Sequence, residues 1–132
     1  KTGPSPNSSR PAPNPSLLLR ILVLPPRRPS GSLETEMQAV LDEHNRLRVK
    51  HQAPDSTWDA ALAMQAQAWA GDCTFKHSTV GNGENLWAGY GSAFSGAVAV
   101  KSWYDELTKP GCDFSNPGFS HGTGHFTQVV WK

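Results

Sequence analysis

GTGHFTQVVWK, residues 122–132, sets one histidine behind a glycine pair and ahead of an alternating run. Read at a period of two, His125, Thr127, Val129 and Trp131 share one face and Phe126, Gln128 and Val130 the other. That alternation predicts a half-buried strand led by His125. The strand content of the chain rests largely on this stretch, because the segments before it read mostly as helix.

Working back, SGAVAVKSWYDELTKPG (residues 95–111) predicts a helix that starts at Ser95 and ends before Pro110 and Gly111. Ala99, Trp103 and Glu106 fall at i, i+4 and i+7, which puts a carboxylate on the side of a tryptophan with core character. WDAALAMQAQAWAG (residues 58–71) predicts another helix, with Leu62, Ala66 and Trp69 on one face. Asp59 is its candidate cap and Gly71 its stop. A further helix fits ETEMQAVLDEHNRLRVK (residues 34–50), where Met37, Val40, Leu41 and Leu47 are spaced helically around His44. Thr35 and Gln38 have the spacing of a capping box. Between the second and third of these helices, in chain order, CTFKHSTVGNGENLWAGYGS carries glycines 81, 83, 89 and 91. Those glycines predict turns around short strands.

The near-neutral charge of +1 over 132 residues hides a division. Residues 1–33 hold eight of the eleven prolines and five of the twelve basic residues, with no acid, leaving seven basic against eleven acidic residues beyond them. Residues 1–32 therefore predict a disordered, proline-rich basic tail, and 33–132 a folded domain. LLLRILVL (residues 17–24) is interrupted by Arg20 and falls short of the roughly 20 residues that cross a bilayer. It reads as solvated linker, with a remnant of a secretory leader as the alternative. Asn7-Ser8-Ser9 forms a glycosylation sequon. The scattered basic residues lack interleaved aromatics, which argues against a nucleic-acid partner.

Among the five histidines, His51 and His121 have no supporting context, and His44 reads as a core histidine on a helix face. His77 and His125 border strand-like segments, where Glu84 and Glu106 could meet them. Two imidazoles and two carboxylates in one cleft suit zinc or a similar divalent ion, although no H-E-x-x-H or C-x-x-C motif fixes such a site locally. Ser78 adjoins His77, but successive strand residues point apart, and no G-x-S-x-G elbow is present. The missing nucleophile motif favours binding over catalysis. GNGENLWAG lacks the spacing of a phosphate-cradling loop. Cys73 reads as half of a disulfide rather than a reactive thiol.

Six blocks in order, LDEHNRLR with HQAP, the W-x-x-x-LA-x-x-A pattern from Trp58, CTFKHS, GENLW, SWYDE and GHFTQVVW, resemble the CAP superfamily. This superfamily comprises cysteine-rich secretory, antigen 5 and pathogenesis-related 1 proteins. The resemblance implies an α+β fold, a three-layer α-β-α sandwich that is incomplete at its C-terminus in this chain. It places the family's cleft tetrad on His77, Glu84, Glu106 and His125. It further implies an extracellular protein, zinc or another divalent cation as cofactor, and a sterol or lipid ligand or a defence role. A metal-dependent hydrolase and a structural or signalling module are the alternatives. Relatives continue past the tryptophan of GHFTQVVW with further strands and cysteines, so the natural protein is expected to be longer and residues 33–132 alone only marginally stable. Cys73 occupies a family position whose partner lies downstream; a Cys73–Cys112 bridge and a partner beyond Lys132 are both compatible with the resemblance.

Overall fold

A computed structural model of the chain describes residues 18–19, 31–89, 95–116 and 119–132. Four α-helices dominate: α1 (Gly31–Arg48), α2 (Ala60–Gly71), α3 (Gly96–Tyr104) and α4 (Gly124–Val130). Short 3₁₀ turns extend α1 through Val49–His51 and α3 through Asp105–Leu107. The strands are a parallel pair of two residues each, β1 (Leu18–Leu19) beside β2 (Glu84–Asn85), with Leu18 opposite Glu84 and Leu19 opposite Asn85.

The core lies where α1, α3 and α4 meet. Val40, His44 and Leu47 of α1, at i, i+4 and i+7, are buried, the stripe expected of a helix that packs on one side. They face Ala99, Val100 and Trp103 of α3 and Val129 of α4, with Trp87, Tyr104 and Val130 packed around the edge. Burial of each large apolar side chain contributes about 1.5–3 kcal/mol. Helix α2 stands apart from this cluster, and Ala66 is its one buried residue. Asp59 caps it as expected, its Oδ1 accepting from the Leu62 amide at 2.9 Å, and the helix stops at Gly71.

Helix α1 also supplies polar groups to its neighbours. Glu36 Oε2 accepts from the Gly96 amide at 2.9 Å and so caps α3 from outside. The buried Arg48 guanidinium donates through Nε to Pro54 O and through one terminal nitrogen to Val129 O, each at 2.8 Å. The second of these bonds satisfies a carbonyl in the last turn of α4.

Three expectations are corrected. The closing stretch is a helix, because Phe126 and Val129, three residues apart, are the residues it buries. Helical spacing, not alternation, matches the space beside α1 and α3. Thr35 and Gln38 form no capping box, since α1 begins at Gly31 and both lie inside it. The earlier start puts Glu34 in the first turn, where its charge meets the positive helix end. Gln38 instead donates to Asp42 Oδ1 at 2.7 Å. Of the two pairings left open for Cys73, the one with Cys112 is not formed among the described residues, where both cysteines are free. Finally, of residues 1–32, expected to form a tail without structure, Leu18 and Leu19 pair with β2 and Gly31 and Ser32 open α1; the rest of that expectation falls on residues 1–17 and 20–30, outside the described residues.

His44 couples this core to pH. Its Nδ1 lies 2.9 Å from Val40 O, and burial, more than the nearby Arg48 charge, pushes its pKa down to about 4. The folded state therefore takes up the proton later than the unfolded chain. Stability from this group is complete above about pH 6.5 and is lost as pH falls through 4, by about 3 kcal/mol in all. Urea unfolding at pH 7 and pH 4.5 should show a steeper loss in the parent than in His44→Gln. Equal losses would contradict this account of His44.

Candidate functional site: two histidine–glutamate pairs

His77 lies in the loop after α2 and Glu84 in β2, while Glu106 lies in the turn after α3 and His125 in the first turn of α4. The structure gathers these four residues as two pairs. His77 Nδ1 is 2.8 Å from Glu84 Oε1, and His125 Nδ1 is 2.7 Å from Glu106 Oε1.

Both carboxylates grip backbone as well as ring. Glu84 Oε1 also accepts from the Ser78 amide at 3.0 Å, and its Oε2 accepts from the Ser78 hydroxyl at 2.8 Å. Glu106 Oε2 accepts from the amides of His125 and Phe126 at 2.9 and 3.0 Å. Those two amides belong to the first turn of α4 and have no acceptor within the helix. A side-chain carboxylate at this position also meets the positive end of the helix dipole. One residue therefore both starts the helix and aims its histidine.

Burial divides the roles. The Glu84 and Glu106 side chains are 5% and 19% exposed, against 62% and 39% for His77 and His125. With an ionised carboxylate at Nδ1, the neutral imidazole keeps its proton there and presents Nε2 as a lone pair. The carboxylate–imidazole arrangement is the one that fixes a metal-binding histidine, so the donor set fits a zinc-like ion. Among the described residues, no three His, Cys, Asp or Glu side chains gather into one metal-holding group.

Two more residues join the pairs, Asn85, which the sequence reading passed over, and Trp103, which it placed beside Glu106. Asn85, buried beside Glu84, donates through Nδ2 to His125 O at 3.0 Å. Trp103 donates through Nε1 to Leu86 O at 2.9 Å and stacks on the His125 ring at 6.4 Å between centroids and 22° between planes. The side shared by Glu106 and Trp103, expected from helical spacing, thus becomes a wall behind His125. A buried asparagine is uncommon, and Asn85 directly after Glu84 was the available sequence signal. The end of the Gln128 side chain packs close beside Gly83. The Ser78 hydroxyl contacts Glu84. The other histidines stand elsewhere: His44 in the core, His51 with Nε2 2.9 Å from the Tyr104 hydroxyl, and His121 edge-on to Phe119.

Comparison with known proteins bears on the family of the chain. The family described as CAP: Cysteine-rich secretory protein family matches residues 41–132. The chain is 44% identical over 108 residues to Secreted protein RBT4 of Candida albicans, an alignment covering 78% of the chain and 29% of that protein. It is 46% identical over 99 residues to Protein PRY2 of Saccharomyces cerevisiae, covering 71% and 28%. To Glioma pathogenesis-related protein 1 of Mus musculus it is 36% identical over 118 residues, covering 78% and 46%. The chain thus spans less than half the length of each of these relatives.

The division of burial predicts opposite costs. Glu106→Gln keeps the shape but turns an amide NH₂ toward N–H donors, and should destabilise by about 2 kcal/mol. His77→Ala, at an exposed ring, should stay within about 0.5 kcal/mol of the parent. Chemical denaturation of both variants checks this, and a larger loss for His77→Ala would reverse the assignment.

Proposed function

The chain belongs to the cysteine-rich secretory protein family, and on that premise we propose that it is an extracellular binding module whose two histidine–glutamate pairs take up a divalent cation such as zinc. In this reading Nε2 of His77 and Nε2 of His125 hold the ion, and Glu84 and Glu106 orient the rings rather than ligate. The ion would supply a positive charge that recruits an anionic or carbonyl-bearing partner. The observation that carries the proposal is the repeated construction: each carboxylate takes Nδ1 of one histidine and the amide of that histidine or of the residue after it.

The complete α-β-α sandwich implied by the family belongs to the same proposal, with α1, α3 and α4 as one helical layer. Secretion is supported by the family description and by the name of the relative RBT4. None of the helices among the described residues is long and apolar enough to cross a membrane. A serine-nucleophile mechanism is not favoured, because the Ser78 hydroxyl donates to Glu84 rather than to an imidazole.

Thermal unfolding with and without zinc tests the site, since an ion bound only by the folded state raises the midpoint. The parent should gain stability in zinc, and the double variant His77→Ala/His125→Ala should gain none. Glu84→Gln should weaken zinc binding by about 10–100-fold, the usual cost of losing an orienting partner. A midpoint indifferent to zinc in the parent would refute the proposal, and loss of binding in Glu84→Gln equal to that in His125→Ala would make Glu84 a ligand.

A further inference from the structure

Strand β2 consists of Glu84 and Asn85, and each of them organises part of the candidate site. Glu84 Oε1 takes Nδ1 of His77, and Asn85 Nδ2 donates to His125 O. Successive residues of an extended strand send their side chains to opposite faces. The extended backbone here is therefore what lets one short segment reach the His77 ring with one side chain and the first turn of α4 with the next.

A strand of two residues does not hold itself extended, since even an isolated pair of longer strands is marginal in water. Among the described residues the strand partner of β2 is β1, in parallel register, with Leu18 opposite Glu84 and Leu19 opposite Asn85. β1 also runs beside α2, and the loop after α2 carries His77. A segment that composition reads as solvated linker thus lies beside both elements that bring the first pair together. The second pair is held in another way: Glu106 receives the amides of His125 and Phe126, and Trp103 stacks on the His125 ring.

We propose that Leu18 and Leu19 are positioning residues for the candidate site: their backbone pairing keeps Glu84 and Asn85 extended, and through Glu84 it sets how the His77 ring is turned. The inference rests on the reading of the two pairs as a cation site, and it gives that site a control element in the N-terminal segment. With β1 paired, Glu84 holds His77 at Nδ1 and leaves Nε2 facing outward. With β1 released, the His77 pair loses its register while the His125 pair keeps the grip of Glu106. The pairing acts through main-chain N–H and C=O groups. Proline, which has no N–H, breaks it; valine, which keeps the N–H and favours strands, preserves it. Substituting both leucines by proline removes the donor whichever of the two faces β2.

The test compares the full chain with Leu18→Pro/Leu19→Pro and with Leu18→Val/Leu19→Val, all labelled with ¹⁵N. The tautomer of each histidine is read from its two ring-nitrogen resonances at about pH 8, where an ordinary imidazole is neutral, and without metal. In the parent His77 should carry its proton on Nδ1. The proline variant should move His77 toward the tautomer mixture of a free histidine, move His125 less, and speed amide exchange in β2 by about tenfold. The valine variant should match the parent. In zinc the proline variant should bind about 10–100-fold more weakly, as when an orienting partner is lost. Zinc indifference in the parent would sink the cation reading alone, because the ring readout tests the strand without metal. If the proline variant fails to fold, amide exchange at Leu18 and Leu19 in the parent decides: neither amide slower than in a free peptide of residues 14–24 overturns the proposal. So would an unmoved His77 ring in a folded proline variant, a shift at His125 as large as that at His77, or a valine variant that behaves like the proline one.

Discussion

The carboxylate of Glu106 is the group on which the C-terminal half of this structure turns. Helix α4 has seven residues, well below the length at which a helix holds itself in water. It persists because it is held from outside at both ends. Glu106 Oε2 receives the amides of His125 and Phe126 at its start, and Arg48 donates to Val129 O near its finish. Between these anchors Phe126 and Val129 are buried. Neither anchor lies within α4, so the helix is a product of the tertiary fold.

The same carboxylate ties stability to the candidate site. The bonds that start α4 also set where His125 stands, and Oε1 of Glu106 sets how its ring is turned. Trp103 closes the ring from one side while holding the Leu86 carbonyl next to β2. Asn85 then carries the connection across to the Glu84 pair through His125 O. A change at any of these residues moves both pairs, whereas the exposed His77 ring can be lost with little effect on folding. The arrangement explains why each more exposed imidazole rests on a less exposed acid.

Much of this was legible in the sequence where local chemistry and tertiary packing agree. Val40, His44 and Leu47 recur at helical spacing and are buried on one face of α1, and Asp59 caps α2 because its side chain reaches an amide three residues on. The residues of the two pairs could be named from their types and from the family resemblance. Their division into pairs could not, since it depends on the distance between a turn after α3 and the start of α4. The closing stretch misled because Thr127, Val129 and Val130 are β-branched residues in an alternating run, which favours a strand when neighbours are ignored. The deciding groups, Glu106 and Arg48, lie 19 and 81 residues from the atoms they bind.

Amide hydrogen exchange at His125 and Phe126 tests the central claim most directly. First-turn amides of a helix ordinarily lack an intrahelical acceptor and exchange readily. Here both should be protected to a degree comparable with the amides of α3, and Glu106→Ala should remove that protection from both together. Rapid exchange in the parent, or protection that survives Glu106→Ala, would show that the carboxylate does not hold α4 and that His125 is placed by something else.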